Sequence, residues 1–203
     1  MIVTSLGVVL AIVLAWIAIG LAGLLAPRSL AWVGHTLFPL GAALGLALAV
    51  FAIIALFAAP EAWVLPLGLP DLPMHVRLDP LAACFLALIG LTVSGISLYA
   101  AGYFRPGEGA APGLMCLQYH VFLASMAMVV LADDAFTFMV AWETMALSSY
   151  FLVTTQHRVP EIRSAGFLYL LLAHIGAISL LLCFGVLQGG SWQFTFDAMR
   201  VAT

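Results

Sequence analysis

Long uncharged runs of apolar residues recur along this 203-residue chain, and they constrain its fold more than any other feature. The hydrocarbon core of a bilayer is about 30 Å thick, so a helix needs about 20 apolar residues to cross it. Runs of that length occur about six times. Charged residues make up 7% of the sequence, whereas soluble domains carry roughly 25%. The sequence therefore predicts an all-α integral membrane protein and excludes a water-soluble domain.

The apolar runs and the turn residues between them define six predicted membrane helices. Their predicted limits are Ile2–Ala26, Leu37–Ala59, Pro80–Ala101, Leu114–Ala132, Ala135–Thr155 and Ser164–Leu187, for helices 1 to 6. We expect three segments: residues 1–113 with helices 1 to 3, residues 114–187 with helices 4 to 6, and a polar, aromatic tail at 188–203. The tail is too polar to add a seventh span.

The segment between predicted helices 2 and 3 interrupts the helical pattern. Five of the ten prolines fall between residues 60 and 80, and apolar and polar residues alternate from Met74 to Asp79 as they do in a strand. We therefore predict a short extramembrane hairpin at residues 60–80. Asp79 directly before Pro80 is typical of a helix start, because the carboxylate caps free N–H groups and proline suits the first helical position.

Charged residues are few and scattered. The formal net charge of −3 forms no basic or acidic run, so the sequence does not favour nucleic-acid binding. The three cysteines have no spacing that would hold zinc or an iron–sulfur cluster. We interpret Cys84, Cys116 and Cys183 as small core residues.

The arginines predict the orientation of the chain in the membrane. Those in the first, third and fifth connectors outnumber those on the other side, with Arg28, Arg105, Arg158 and Arg163 against Arg77 and Arg200. Cytoplasmic loops carry an excess of arginine and lysine. If the host membrane is a bacterial inner membrane, both termini, the hairpin and the Asp133–Asp134 turn are then periplasmic.

Glu143 lies inside predicted helix 5 and is the leading candidate for function. A charge at the bilayer centre costs about 2.5–3.5 kcal/mol even on the insertion scale, so such residues are paired, hydrated or protonated. Glu143 comes eight residues after Ala135, which places it about 12 Å deep. With Ser148 and Ser149 as candidate polar lining, we interpret Glu143 as a group that loads and releases a proton. The alternative is a structural glutamate bonded to a neighbouring helix.

Two histidines are further candidates for proton transfer. His174 lies about ten residues into predicted helix 6, also near mid-depth, and histidine titrates near neutral pH. One interpretation is a proton relay from Glu143 to His174, and the other is a neutral histidine bonded to a carbonyl or a serine. His120, near the cytoplasmic part of predicted helix 4, is either a residue at a proton entrance or interfacial filler, and we favour filler.

Three stretches of the sequence resemble a known family. AWETMALSSYFLV from Ala141 to Val153, followed by AGFLYLLLAHIG from Ala165 to Gly176, resembles helices 5 and 6 of the antiporter-like proton-translocating membrane subunits. This family includes membrane subunits of respiratory complex I, of Mrp-type antiporters and of NiFe hydrogenases. The SSYFLV and LAHIG motifs are most similar to component B of hydrogenase-4 and its formate hydrogenlyase relatives. RLDPLAACFLALIGLTVSGISLYAAGYF extends the resemblance to the N-terminal helices and hairpin.

The resemblance implies a role for Glu143 and a partner that this chain lacks. In the family, the helix 5 glutamate pairs with a lysine on helix 7 and passes protons along a polar axis. All six basic residues here are arginine, and the chain stops before helix 7. The family fold has two inverted repeats, so the resemblance covers only its N-terminal portion. We expect a fragment, a truncated product, or a split subunit whose helices 7 onward come from a second polypeptide.

Three functions remain open at this point. The first is a proton-translocating component of a redox complex of the hydrogenase-4, formate hydrogenlyase or NADH:quinone oxidoreductase type. The others are a subunit of a multi-subunit Na⁺/H⁺ antiporter and an inert membrane remnant. The expected partners are the bilayer and the other membrane subunits of such an assembly. We expect no cofactor on this chain, with NiFe, iron–sulfur or flavin centres only in partner subunits.

Overall fold

Six long helices form the protein in a computed structural model that describes residues 4–103 and 110–202. These are α1 (Ser5–Ala22, continued by a 3-10 turn at Gly23–Leu25), α2 (Leu30–Ala55), α3 (Pro80–Tyr103), α4 (Pro112–Leu131), α5 (Ala135–Val153) and α6 (Pro160–Leu187). All six are long and apolar enough to cross a bilayer, which confirms the predicted all-α membrane fold. The predicted start at Ile2, the position of Arg105 and the last residue, Thr203, lie outside the described residues.

Several helices begin where a side chain accepts free backbone N–H groups. Asp79 Oδ1 accepts a hydrogen bond from the Ala82 N–H at 2.8 Å, which confirms the predicted start of α3 at Pro80. Thr4 caps α1 in the same way. These caps satisfy donors that the first helical turn leaves without partners.

The predicted start of helix 2 at Leu37 is wrong by seven residues. The helix begins at Leu30, where the Ser29 Oγ accepts the Trp32 N–H at 3.2 Å. Residues Val33–Leu37 form a π-helical turn. The polar residues within this turn resemble a connector in the sequence, but a π-turn inserts one extra residue without ending the helix.

A two-stranded antiparallel hairpin lies between α2 and α3, as predicted. Strand β1 (Glu61–Leu69) pairs with β2 (Leu72–Leu78), and the register shifts between Leu65 and Gly68. Gly68 has a φ of 113°, a conformation that residues with a Cβ rarely adopt. The periplasmic position of this hairpin remains a prediction.

Four parts of the chain meet at one end of the bundle. The Glu61 carboxylate on β1 accepts the N–H groups of Ser5 and Leu6 at 3.1 Å. The Asp133 N–H donates to the carbonyl of His75 at 3.0 Å, which joins the α4–α5 turn to β2. The Ala135 N–H donates to the carbonyl of Phe194 at 2.9 Å, which adds the C-terminal segment. The start of α1, the hairpin, the α4–α5 turn and the C-terminal segment therefore lie on the same side.

The predicted polar tail contains a short helix, α7 (Phe196–Ala202). Met199 is buried, and Arg77 on β2 contacts Asp197 at the start of this helix. The Arg77 guanidinium also lies 2.9 Å from the Asp133 carboxylate. Hydrogen bonds to Asp197 and Asp133 raise the pKa of Arg77, and the bond from Arg77 lowers the pKa of Asp197. This ion-paired group joins the hairpin, the α4–α5 turn and α7.

The main core lies among α1 to α4, and small residues bring these helices close together. A Cβ on Gly90 of α3 would lie 2.6 Å from the Gly45 carbonyl oxygen and the Ala49 nitrogen of α2. Such close backbone contacts favour the association of helices in lipid. Trp16, Phe38, Leu48, Leu86 and Leu123 fill the remaining space and are fully or almost fully buried.

The outermost helix is α6. In its most apolar stretch 6% of the residues are buried, compared with 44% in the corresponding stretches of α2 and α4. Cys183 on α6 is exposed, as is Cys84 on α3, so the prediction that all three cysteines are core residues is right only for Cys116. A membrane protein needs apolar residues on its lipid face as well as in its core, so an apolar sequence does not separate the two.

Candidate functional site

Glu143 and His174 lie opposite each other on α5 and α6. The His174 Nε2 is 3.7 Å from the Glu143 Oε2, which is within ion-pair range. Glu143 comes eight residues after the start of α5, about 12 Å along the helix axis. The structure therefore brings together, near the middle of both helices, the two residues that the sequence analysis paired.

The second ring nitrogen of His174 indicates which tautomer the neutral ring adopts. Nδ1 lies 2.9 Å from the Leu170 carbonyl oxygen, and a carbonyl only accepts hydrogen bonds, so Nδ1 carries a hydrogen. In the neutral ring, Nε2 then presents its lone pair towards the Glu143 carboxyl group. This arrangement can hold one proton between the two groups, either as carboxylic acid and imidazole or as carboxylate and imidazolium.

The pair lies at the edge of the described helices rather than in their core. The side chains of Glu143 and His174 are 34% and 46% exposed. Charge in this position faces either lipid or another helix, and exposure to lipid is unfavourable for a charged carboxylate. Mutual pairing, protonation or cover by further helices reduces that cost.

A second polar link joins α5 to α6 one to two turns away from the Glu143–His174 pair. The Ser149 Oγ and the Tyr169 hydroxyl are 2.5 Å apart, and the Ser149 Oγ also lies 2.9 Å from the Ala146 carbonyl oxygen. Ser149 was predicted as polar lining, but Tyr169 was missed because a tyrosine within an apolar run resembles an ordinary aromatic side chain. The antiparallel register of α5 and α6 could have identified it. In antiparallel helices the residue numbers of facing residues add up to nearly the same value, as they do for Glu143–His174 and Ser149–Tyr169.

We call the contacts between α5 and α6 the α5–α6 seam. It comprises four levels, namely Phe138–Phe184, Glu143–His174, Ser149–Tyr169 and Thr154–Gly166. At the first level Phe138 contacts Phe184 and Phe196, with ring centroids 5.7 and 6.4 Å away, and stacks on Trp142 at 5.6 Å. The seam is thus aromatic on one side of Glu143 and polar on the other.

The remaining predicted residues lie away from the seam. Ser148 is buried, and its hydroxyl donates to the Thr144 carbonyl at 2.7 Å and to the Met145 carbonyl at 3.0 Å, within its own helix. The structure does not bring Ser148 to Glu143. Serine hydroxyls often bond to the preceding turn, so sequence spacing alone does not show which serine crosses to a neighbour.

His120 is a fully buried residue of α4, among α1 and α2. Its Nδ1 lies 2.8 Å from the Cys116 carbonyl oxygen, and its ring packs against Phe38 and Tyr119. It is the ninth residue of the 20-residue helix, so the prediction of an interfacial position was wrong. Its setting is that of a packed core histidine rather than a member of the α5–α6 seam.

Metal ligation has no support from the residues at 4–103 and 110–202. Within these ranges no group of three His, Cys, Asp or Glu side chains is close enough to hold a metal ion. The chemistry available at the α5–α6 seam is proton exchange among a carboxyl group, an imidazole and two hydroxyl groups.

Sequence comparison identifies a related family and several relatives. Residues 132–202 match the family described as NADH:quinone oxidoreductase/Mrp antiporter, TM. An uncharacterised protein of Mycobacterium tuberculosis H37Rv is 36% identical over 135 residues, which cover 65% of this chain and 20% of that protein. Hydrogenase-4 component B of Escherichia coli K12 is 35% identical over 127 residues, which cover 63% of this chain and 19% of that protein.

Two solved membrane complexes contain chains with the same fold. One is the membrane-bound sulfane sulfur reductase, an archaeal respiratory membrane complex, with a TM-score of 0.72 and 20% identity over 92% of this chain and 28% of that one. The other is the Mrp complex of a Dietzia species, with a TM-score of 0.71 and 25% identity over 93% of this chain and 21% of that one.

The matches also define how much of such a subunit this chain represents. It spans about a fifth of the length of the curated relatives that it matches. The similarity to hydrogenase-4 component B agrees with the branch favoured by the SSYFLV and LAHIG motifs. The chain is therefore a multi-pass membrane protein related, through residues 132–202, to the NADH:quinone oxidoreductase/Mrp antiporter family, and it has part of the antiporter-like fold.

Proposed function

We propose that this chain is a proton-translocating membrane component of a redox complex, with Glu143 and His174 as its proton-carrying pair. The observation that carries this proposal is the 3.7 Å approach of the His174 Nε2 to the Glu143 Oε2 between two apolar helices. A carboxyl group and an imidazole with a free lone pair are the two side chains best suited to exchange a proton near neutral pH. The similarity to hydrogenase-4 component B supports a redox assembly.

The proposed step is a proton transfer within the pair. Protonated Glu143 gives its proton to the His174 Nε2, and the products are a carboxylate and an imidazolium that stabilise each other. A proton-transfer contact needs a heavy-atom distance of about 2.6–3.2 Å, so side-chain rotation closes the present gap. The two opposite charges then appear side by side and sum to zero, which limits the free-energy cost of placing charge inside the membrane.

The proposed assembly contains further membrane subunits. Helices from a family-type helix 7 onward would cover the exposed side of α6 and bring additional polar groups to Glu143. In this arrangement residues 1–113 form a flanking scaffold, 114–187 begin the proton-translocating repeat, and 188–203 pack against its outer end. We propose a bacterial inner membrane with both termini periplasmic, and redox cofactors only in the partner subunits.

A second function uses the same residues without a redox partner. The similarity to a chain of the Mrp complex, with a TM-score of 0.71, favours a subunit of a multi-subunit Na⁺/H⁺ antiporter as the alternative. Subunits that copurify with the native assembly distinguish the two functions. Hydrogenase or quinone-reducing subunits support the redox complex, whereas cation-transport subunits alone support the antiporter.

The direct test is Glu143→Gln in the intact assembly, measured as proton translocation coupled to turnover in proteoliposomes. The amide is similar in size but carries no transferable acidic proton, so we expect a loss of about hundredfold in the translocation rate. Glu161→Gln is the matched control, because Glu161 is in the first turn of α6, outside the apolar part of the helix. Unchanged coupled translocation in assembled Glu143→Gln would contradict the proposed function.

A further inference from the structure

The α5–α6 seam gives the Glu143–His174 pair different surroundings on its two sides. Towards the start of α5, Phe138 packs against Phe184 and Phe196, which leaves an aromatic contact beside the pair. Towards the α5–α6 turn, Ser149 and Tyr169 bring two hydroxyl groups within 2.5 Å. Protons and water need hydrogen-bonding groups, so only the second direction is suited to proton movement through this seam.

The hydroxyl pair lies within reach of Glu143 by way of water. Ser149 is six residues beyond Glu143 on α5, which corresponds to about 9 Å along the axis. Tyr169 is five residues before His174 on α6, or about 8 Å. A short chain of two or so water molecules spans such a gap, since hydrogen-bonded oxygens lie about 2.8 Å apart. Tyr169 is 39% exposed, so the described helices leave part of it uncovered, with room for water beneath the further helices of the proposed assembly.

We propose that Tyr169, bonded to Ser149, is a proton-relay residue that connects the Glu143–His174 pair to the α5–α6 turn. This inference rests on the proposed function and adds a residue and a direction to it. The Tyr169 oxygen accepts a proton from a water on the turn side and releases its own hydroxyl proton to a water on the Glu143 side. The tyrosine is neutral before and after each transfer, and rotation of the hydroxyl restores the starting state.

The hydrogen bond between Ser149 and Tyr169 can run in either direction, as such a relay requires. The Ser149 hydroxyl has one hydrogen and lies 2.9 Å from the Ala146 carbonyl oxygen. When that hydrogen is donated to Ala146, the Tyr169 hydroxyl donates to Ser149. When it turns to Tyr169, the tyrosine hydrogen is free to point towards Glu143. The two hydroxyl groups therefore switch together between two hydrogen-bonded states.

The test uses Tyr169→Phe in the intact assembly, reconstituted into proteoliposomes that contain a pH-sensitive dye. Proton uptake is driven by a potassium diffusion potential with valinomycin, so the assay does not depend on a particular electron donor. We expect the initial rate to fall about tenfold, which corresponds to about 1.4 kcal/mol in the transfer barrier. Tyr99→Phe is the matched control, because Tyr99 is an exposed tyrosine of α3, away from the α5–α6 seam.

Two further variants separate a relay from a structural link. Ser149→Thr keeps a hydroxyl and is expected to retain most of the rate, whereas Ser149→Ala is expected to lower it. In the Tyr169→Phe assembly, the infrared carboxyl band of Glu143 should be unchanged, because the pair itself is intact. A rate that falls only in proportion to lost assembly would overturn the relay and leave Tyr169 as a link between helices.

Failure of the relay is distinguishable from failure of the proposed function. If Glu143→Gln stops proton uptake while Tyr169→Phe leaves it unchanged in fully assembled complex, the relay is wrong and the Glu143 proposal stands. If neither variant changes proton uptake, the proposed function is wrong and the relay fails with it.

Discussion

The α1–α4 bundle and the α5–α6 seam lie side by side in the same protein, but different residues hold them together. In the bundle, glycines such as Gly45 and Gly90 let helix backbones touch, and large apolar side chains fill the space between them. In the seam, the middle two levels are polar. Only 6% of the residues in the most apolar stretch of α6 are buried. Helices of similar apolar composition thus pack closely in one region and hold polar side-chain contacts in the other.

This difference predicts which substitutions should affect stability and which should affect function. Close packing of small residues provides much of the association energy of membrane helices, because lipid tails are as apolar as the side chains. The side chains of Glu143 and His174 are partly exposed, so less close packing depends on them than on the buried residues of the bundle. Substitutions in the α1–α4 bundle should therefore act mainly on folding, and substitutions in the middle of the seam mainly on proton transfer.

The largest stability effect is expected at Gly90. A methyl group there would lie within 2.6 Å of backbone atoms of Gly45 and Ala49, which cannot move without separating α2 from α3. We expect Gly90→Ala to lower the free energy of unfolding by about 3 kcal/mol. The measurement is unfolding by sodium dodecyl sulfate in mixed micelles.

Gly95→Ala is the control for that experiment, since it lies on the same helix and a Cβ there would meet nothing within 4 Å. We expect almost no loss of stability, or a slight gain from the higher helix propensity of alanine. Equal losses for Gly90→Ala and Gly95→Ala would mean that close packing does not distinguish the α1–α4 bundle.

A smaller effect is expected at the cap of α5. The buried Asp134 carboxylate accepts the Thr137 N–H at 2.7 Å, the Thr137 hydroxyl at 2.6 Å and the His75 N–H at 2.6 Å. Asp134→Ala leaves these donors without that acceptor, and we expect a loss of about 1–2 kcal/mol in unfolding free energy. Asp71→Ala, at an exposed hairpin position, serves as the control and should change stability little. Similar losses in both variants would argue against the cap.

The smallest effect is expected where Arg77 holds α7. Because the bond from Arg77 lowers the pKa of Asp197, its stabilising contribution is present above the ordinary carboxyl pKa of about 4 and is lost as pH falls below it. We expect amide hydrogen exchange in residues 196–202, corrected for its intrinsic pH dependence, to become less protected at acidic pH. Asp197→Asn should remove most of this pH dependence, and an unchanged pH profile in that variant would rule out Asp197 as its source.

Much of the fold follows from the sequence because the bilayer requires apolar helices of a certain length. The six spans, the hairpin and the Asp79 cap were predictable from apolar runs, proline positions and a capping residue. The start of α2 was not, because the π-turn at Val33–Leu37 lets polar residues continue a helix. Helix α7 was missed because seven residues give little periodicity, and its position depends on the distant Arg77.

The candidate site was predictable only in part. The depth of Glu143 and His174 on adjacent helices was sufficient to pair them. The link from Ser149 to Tyr169, and the absence of such a link for Ser148, depend on the rotation of α5 and on its register with α6. Because these helices are apolar on every face, the sequence does not determine the rotation of α5 or its register with α6.

The most direct test of the central claim is a double-mutant cycle on proton translocation by the intact assembly, with Glu143→Gln, His174→Gln and the combined variant. If the two residues carry one shared proton as a unit, each single substitution should lower the rate about as much as both together, because residues that act as a unit are strongly non-additive. If instead the effects of the two substitutions multiply independently, Glu143 and His174 do not form the proposed pair, despite the 3.7 Å between them.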